Sequence, residues 1–167
     1  SAPLTVNIAT GERASCPDGF TESSGSPLGD RTLCTGPLGN LSDFAGVLTQ
    51  SATIPYVEGV VYELSGLLDV GQGTTGSISC AAVTPVVLTI EPGVTIAGDA
   101  GGDYLVVNRC HRIEAAGTPE APIVFTSRND IAGTGARATA TGEWGGVAVL
   151  GTAPVSGCDG SNTCTGG

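Results

Sequence analysis

The chain has 167 residues, of which 40% are hydrophobic and only 4% aromatic, so the sequence predicts one domain with an aliphatic core. Its 16 acidic residues outnumber six arginines, lysine is absent, and the formal net charge is −10. This balance argues against nucleic acid and anionic membrane surfaces as partners, because both attract basic patches. No apolar run approaches the ~18 residues of a membrane span.

Residues 1–47 are rich in Gly, Ser, Pro and Asp, and this composition predicts an irregular N-terminal cap segment. The chain starts with SAPLTV and contains no methionine, which is typical of a protein whose signal peptide has been removed. An N-L-S triplet makes Asn40 a candidate for N-glycosylation.

Six cysteines without C-x-x-C spacing favour disulfides, and therefore an extracellular or cell-surface location. Six cysteines allow many pairings, and position along the chain favours local ones. One pair would lie in the cap, one in a short C-terminal loop, and one would remain between them. The predicted pairs are Cys16–Cys34, Cys80–Cys110 and Cys158–Cys164.

From residue 48 onward, the sequence consists of short runs of strand-forming residues separated by turns, and none of these runs has a helical period. The runs align on one another when they start at Leu88, Leu105, Ile123 and Val147. The alignment predicts two inward stacks, one of Ile90, Val107, Phe125 and Val149 and another of Ile96, Ile113 and Ile131. A repeat of ~20 residues without helices is typical of a β-solenoid, here over 48–167. A β-sandwich is the alternative.

Three phrases, LTIEPGVTIAG, RIEAAGTPEAPIVFTS and GEWGGVAVLGTAPVSGC, resemble a large group of secreted bacterial surface proteins. Those proteins look like right-handed parallel β-helices of the pectin-lyase-like architecture, and the resemblance covers roughly residues 45–158. It implies an all-β fold, a right-handed parallel β-helix (β-solenoid) with an irregular disulfide-bonded N-terminal cap. Such proteins usually continue for several more coils, so this chain is either a fragment or an unusually short solenoid.

The N-R-C-H-R motif contains the only histidine and invites a catalytic interpretation. A c-type haem site needs C-x-x-C-H, and Val107 stands where the first cysteine would be. Adjacent residues on a strand point to opposite faces, so Cys110 and His111 would diverge unless a corner intervenes, and a nucleophile and its base would have to converge. We therefore expect a corner of the repeat, with a disulfide-bonded cysteine and a histidine at the core edge, and no catalytic residue.

Enzymes of the pectin-lyase-like group use clustered acids, often with Ca²⁺, and a basic residue on one face of the solenoid. By that resemblance the candidates are Arg109, Arg112, Glu114 and Asp103, which could lie on neighbouring coils. Lysine is unavailable as a base, and no ladder of aspartates is visible. The phrase GDAGGDY offers Asp99 and Asp103 as weak candidates for Ca²⁺, and no other cofactor is expected.

The sequence thus predicts a non-enzymatic extracellular structural protein. The C-terminal residues offer little to cap the last coil, so Trp144, Val147 and Val149 are the predicted edge for head-to-tail assembly of copies into a surface filament. One alternative is a carbohydrate-binding or adhesin module of a longer surface protein, and another is a polysaccharide lyase or hydrolase. Sugar platforms use exposed aromatic rings, which here are limited to Trp144, Tyr56, Tyr62 and Tyr104, with Tyr62 in the inward register.

Overall fold

Short strands joined by turns make up most of the structure. The computed structural model describes residues 13–35, 46–76, 78–134 and 139–152. In chain order the strands are β1 (Thr21–Glu22), β2 (Thr32–Thr35), β3 (Gly46–Leu48), β4 (Ala52–Ile54), β5 (Val60–Leu64), β6 (Leu67–Val70), β7 (Val87–Ile90), β8 (Thr95–Gly98), β9 (Tyr104–Val107), β10 (Arg112–Glu114), β11 (Val124–Ser127) and β12 (Gly146–Val149). A 3-10 turn covers Cys80–Ala82, and one short helix, α1, covers Arg128–Ala132.

Within the described ranges, the strands form three sheets. Sheet 1 has the order β1-β2-β5-β8-β11, sheet 2 the order β12-β9-β6-β3, and sheet 3 the order β10-β7-β4. All strand pairs are parallel except β1 with β2. Apart from β1, each strand pairs with the strand three places along the chain. The polypeptide therefore passes through the three sheets in turn and winds in coils, so the prediction of a mostly β chain with parallel strands is confirmed.

The predicted composition of the inward stacks is wrong, because the aligned runs lie on different sheets: Leu88 is on β7 of sheet 3, Leu105 on β9 of sheet 2 and Phe125 on β11 of sheet 1. Residues that pair are further apart: Val70 pairs with Val107, 37 residues later, and Leu88 with Ile113, 25 residues later. The first predicted stack is divided among the sheets. Val107 does pair with Val149 in sheet 2, whereas Ile90 pairs with Ile54 in sheet 3 and Phe125 with Ile96 in sheet 1.

The alternation of inward and outward residues, by contrast, holds along each strand. Tyr62, Leu64, Leu88, Ile90, Leu105 and Val107 are all buried in the main core. The ring of Tyr62 meets Phe20 edge to face, with 4.9 Å between ring centroids, and its hydroxyl donates to the carbonyl of Pro55. Burial and the negative charge of Glu91 raise the pKa of Tyr62 to about 12.

A second apolar cluster covers the outer face of sheet 1. Leu33, Val61 and Ala97 point away from the main core, and the turn at Leu28 packs on them from the cap segment. Ile131, predicted to point inward, lies instead on α1 and packs against this outer cluster. The helix was not expected, and its five residues are too few to reveal a helical period in the sequence.

The cap segment contributes to the sheets as well as covering them. Cys16 and Cys34 form a disulfide, and β2, which contains Cys34, pairs in parallel with β5. Ala14, Cys16 and Phe20 pack against the start of the core. The parallel sheet thus extends back to Thr32, inside the segment 1–47, while the division of the chain at residue 47 stays a prediction.

Candidate functional site

The Cys110–His111 pair stands at a turn between β9 and β10, as a corner of the repeat should. Cys110 forms a disulfide with Cys80 and adopts a φ of 72°, in the left-handed region. Nδ1 of His111 accepts a hydrogen bond from the backbone N–H of Val86 at 3.0 Å. The imidazole also lies so close to Gly71 that a Cβ there would be 2.1 Å from the ring. Both side chains therefore hold the corner together.

The residues considered for acid–base chemistry have structural partners or stand apart. Arg109 donates from its guanidinium to the carbonyls of Gly76 and Thr74, and so fastens the long loop before β7. Arg112 and Glu114 are exposed on β10. None of the ion pairs found among the described residues involves these three side chains.

Asp103, a predicted calcium ligand, accepts three backbone hydrogen bonds around the turn before β9. Its Oδ2 accepts from the backbone N–H groups of Asp99 and Ala100 at 2.7 and 2.8 Å, and its Oδ1 accepts from Gly66 N–H at 2.6 Å. Calcium requires oxygen ligands, whereas hydrogen-bond donors surround this carboxylate. The carboxylate of Asp99 instead contacts the guanidinium of Arg128 at 3.2 Å. The two aspartates proposed for Ca²⁺ thus have other roles, in the Gly-rich turn and in an ion pair.

The apolar core is open at β12, the strand on which the assembly edge was predicted. Val147 pairs with Leu105, and Val149 with Val107, so both valines continue columns of inward residues. Leu105 and Val107 are 0% and 1% exposed, whereas Val147 and Val149 are 42% and 65% exposed. Among the described strands, β12 is also the last of sheet 2 and has a partner on one side only. Among the residues that the structure describes, this end of the core therefore presents apolar side chains and a strand edge without a partner strand.

The Trp-Gly-Gly sequence at the start of β12 is required by close packing and by backbone conformation, which the sequence alone did not reveal. Trp144 packs on Gly98, where a Cβ would lie 2.7 Å from the tryptophan. Gly145 packs on the ring of Tyr104, where a Cβ would lie 2.2 Å from a ring carbon, and Gly146 has a φ of 104°. Trp144, predicted as part of the assembly edge, is half-buried, packs against the main core and precedes β12.

A polar cleft of about 310 Å³ lies between α1 and the segment that leads to Trp144. Ser127 ends β11, caps the helix by accepting from Asp130 N–H at 3.1 Å, and donates to Glu143 at 2.6 Å. Asn129 donates to the other oxygen of Glu143 at 3.0 Å. Trp144 stacks nearly parallel on Phe125, with 6.2 Å between the ring centroids. The cleft thus combines fixed acidic acceptors with an indole ring.

The coiled arrangement of three parallel sheets agrees with the comparison with protein families. A model described as "Pectate-lyase like beta helix domain" matches residues 46–166. The chain belongs to this pectate-lyase-like β-helix family. Neither curated proteins nor solved structures gave a match.

Membership of the pectate-lyase-like β-helix family brings the question of a metal-dependent site with it. No group of three or more His, Cys, Asp or Glu side chains that could hold a metal ion occurs in the described part of this β-helix chain. Likewise, no helix in that part is long and apolar enough to cross a membrane. The disulfides Cys16–Cys34 and Cys80–Cys110, both as predicted, are compatible with an extracellular protein. Asn40 and the pair Cys158–Cys164 lie outside the described residues.

Proposed function

We propose that this β-helix domain is a non-enzymatic structural module of the cell surface that extends by stacking end to end. The observation that carries the proposal is the exposure of Val147 and Val149, whose register points them into the core. The two disulfides support an extracellular location. Right-handed winding is part of the proposal, because crossovers between parallel strands take that hand in nearly all proteins.

The open end offers both apolar surface and unpaired backbone groups to a further coil. Full burial of an exposed valine stabilises by roughly 1.5–3 kcal/mol, and because Val147 and Val149 are 42% and 65% exposed, covering both supplies about this amount before the entropy of association is subtracted. The N–H of Leu150 donates to the carbonyl of Val107 on β9. Because successive N–H groups of a strand point to opposite sides, the N–H of Val149 faces the free edge.

The occupant that we propose is a second copy, whose cap region and first coil meet β12. The two ends of the domain differ, as stacking in one direction requires. Phe20 and Cys16 of the cap segment cover the start of the core, while the other end is exposed. β3 and β4 are the first strands of sheets 2 and 3 in the described part of the chain, so their outer edges are available for parallel pairing. A contact of this kind does not close on itself and would build a filament.

A proline at the free edge tests the proposal. Val149→Pro removes the outward N–H without removing a bond to β9, so the variant should stay monomeric while the earlier coils keep their thermal stability. Val149→Ala, the matched control, keeps the N–H and should weaken assembly without abolishing it. Sedimentation velocity from micromolar to sub-millimolar concentration, with negative-stain electron microscopy, measures both.

Two results would refute assembly of copies. One is a wild-type protein that stays a monodisperse monomer at the highest concentration. The other is a natural polypeptide whose own further coils cover Val147 and Val149, since the same register then serves an intramolecular stack.

A further inference from the structure

We infer that the Cys80–Cys110 disulfide is a site of thiol–disulfide exchange with external thiols, whereas Cys16–Cys34 is a structural bond closed to them. A thiolate attacks Sγ of Cys80 and forms a mixed disulfide there, and the electron pair of the broken S–S bond leaves on Sγ of Cys110. A second thiolate then attacks the sulfur of the first thiol, which releases Cys80 as a thiolate and oxidises the two external thiols to a disulfide. Neither step involves the free edge of β12.

Access to the sulfur atoms distinguishes the two disulfides. Cys34 is 0% exposed, and Cys16 packs against the main core. Cys80, by contrast, is an exposed residue in a 3-10 turn that contains no buried residue, and Cys110 is half-buried. Because a thiolate must reach the sulfur that it attacks, the second of these bonds is the one open to attack in the folded chain.

The surroundings of Cys110 favour it as the leaving residue. Its φ of 72° is disfavoured for a residue with a Cβ, and opening the disulfide frees its side chain from Cys80, so the residue can leave this conformation. Arg109 and Arg112 flank it in sequence, and positive charge near a thiol favours the thiolate form in which the sulfur must leave.

Hydrogen bonds that do not depend on the disulfide hold both ends of the loop that carries Cys80. At one end, Nδ2 of Asn108 donates to the carbonyl of Gly71 at 2.9 Å. At the other end, the N–H of Val86 donates to Nδ1 of His111 at 3.0 Å, and the N–H of Arg112 donates to the carbonyl of Val86 at 3.0 Å. The disulfide can therefore open while β7 and β10 stay paired, and the two thiols remain close enough to form it again.

The arginines allow a direct test, because trypsin places Cys16 in peptide 14–31 and Cys110 in peptide 110–112. The full chain is exposed to reduced glutathione or dithiothreitol in native buffer at mildly alkaline pH, quenched with N-ethylmaleimide, digested and measured by mass spectrometry. Cys110 should be labelled at least about tenfold faster than Cys16, at a rate proportional to the thiol concentration. Equal labelling rates, or a Cys110 rate that does not rise with thiol concentration, would overturn the inference.

The samples treated with glutathione also identify the attacked sulfur. Glutathione should be attached to peptide 32–109, which contains Cys80, and the maleimide to peptide 110–112. Glutathione on peptide 110–112 would contradict the assignment.

Urea at concentrations below the unfolding transition distinguishes attack on the folded chain from attack after unfolding. The labelling rate of Cys110 should stay constant within about twofold, whereas that of Cys16, the matched control in the same molecule, should rise with the unfolded fraction. A parallel rise at both cysteines would show that exchange requires unfolding and would refute a site in the native corner.

Discussion

Substitutions at the Cys110 corner should separate two contributions to the stability of the domain, the disulfide and the left-handed backbone conformation. The bond joins residues 30 positions apart in sequence, and closing a loop of that length stabilises by roughly 3–4 kcal/mol in the chain-entropy description. Cys110 also holds a φ of 72°, which costs a residue with a Cβ about 1–2 kcal/mol. Glycine avoids that cost but loses more backbone entropy on folding, which leaves it a net advantage over alanine of about 1 kcal/mol.

Two double variants resolve these effects without leaving a free thiol. Cys80→Ala with Cys110→Ala should lower the free energy of unfolding by roughly 3–4 kcal/mol, and Cys80→Ala with Cys110→Gly by about 1 kcal/mol less. Urea unfolding followed by the fluorescence of Trp144 measures both against the wild type. If the glycine variant is no more stable than the alanine variant, the left-handed corner is wrong. If both variants match the wild type, the disulfide does not constrain this loop.

Two further predictions concern groups inside the fold. Because the pKa of Tyr62 is raised from 10.0 to about 12, its contribution to stability should be complete below pH 10 and should fall by about 1.4 kcal/mol per pH unit as the pH rises from 10 toward 12. Urea unfolding at a series of alkaline pH values measures this slope, which should be absent in Tyr62→Phe. An equal slope in both proteins would contradict the assignment. Gly145→Ala should lower the free energy of unfolding by about 1–3 kcal/mol, because the new Cβ would overlap the ring of Tyr104. The control is Gly102→Ala, where nothing lies within 4 Å of the new Cβ, and it should change the free energy of unfolding by no more than about 0.5 kcal/mol. Equal melting temperatures of these two variants would refute the steric account.

Local sequence carried much of the information about which side chains are buried. Alternation along a strand depends only on neighbouring residues, so the inward positions of Tyr62, Leu88, Ile90 and Leu105 could be predicted without knowledge of the fold. Disulfide pairs close in sequence could be predicted as well, because short loops favour local closure.

The pairing of strands could not be predicted in the same way. Turns of different length separate the faces of each coil, so Val107 pairs with Val149 across 42 residues and Leu88 with Ile113 across 25. The spacing of similar strands along the chain therefore does not show whether two strands lie on different sheets or pair within the same sheet in successive coils. Ile131 illustrates the result, since its place in the repeat suggested the core and the helix places it on the outer face.

The sequence by itself determined the strand-rich class, the side of each strand that is buried, and the acidic charge, because these depend on residue type and nearest neighbours. Only the tertiary structure decided what the polar residues do. Asp103 looked like a calcium ligand in a Gly-rich turn, yet the N–H of Gly66, 37 residues earlier, binds its carboxylate. Likewise, Glu143 belongs to a cleft because Ser127, 16 residues earlier, and Asn129, 14 residues earlier, donate hydrogen bonds to its carboxylate. Contacts between distant segments depend on the lengths and conformations of all the turns between them, and these contacts cannot be predicted from a local sequence pattern.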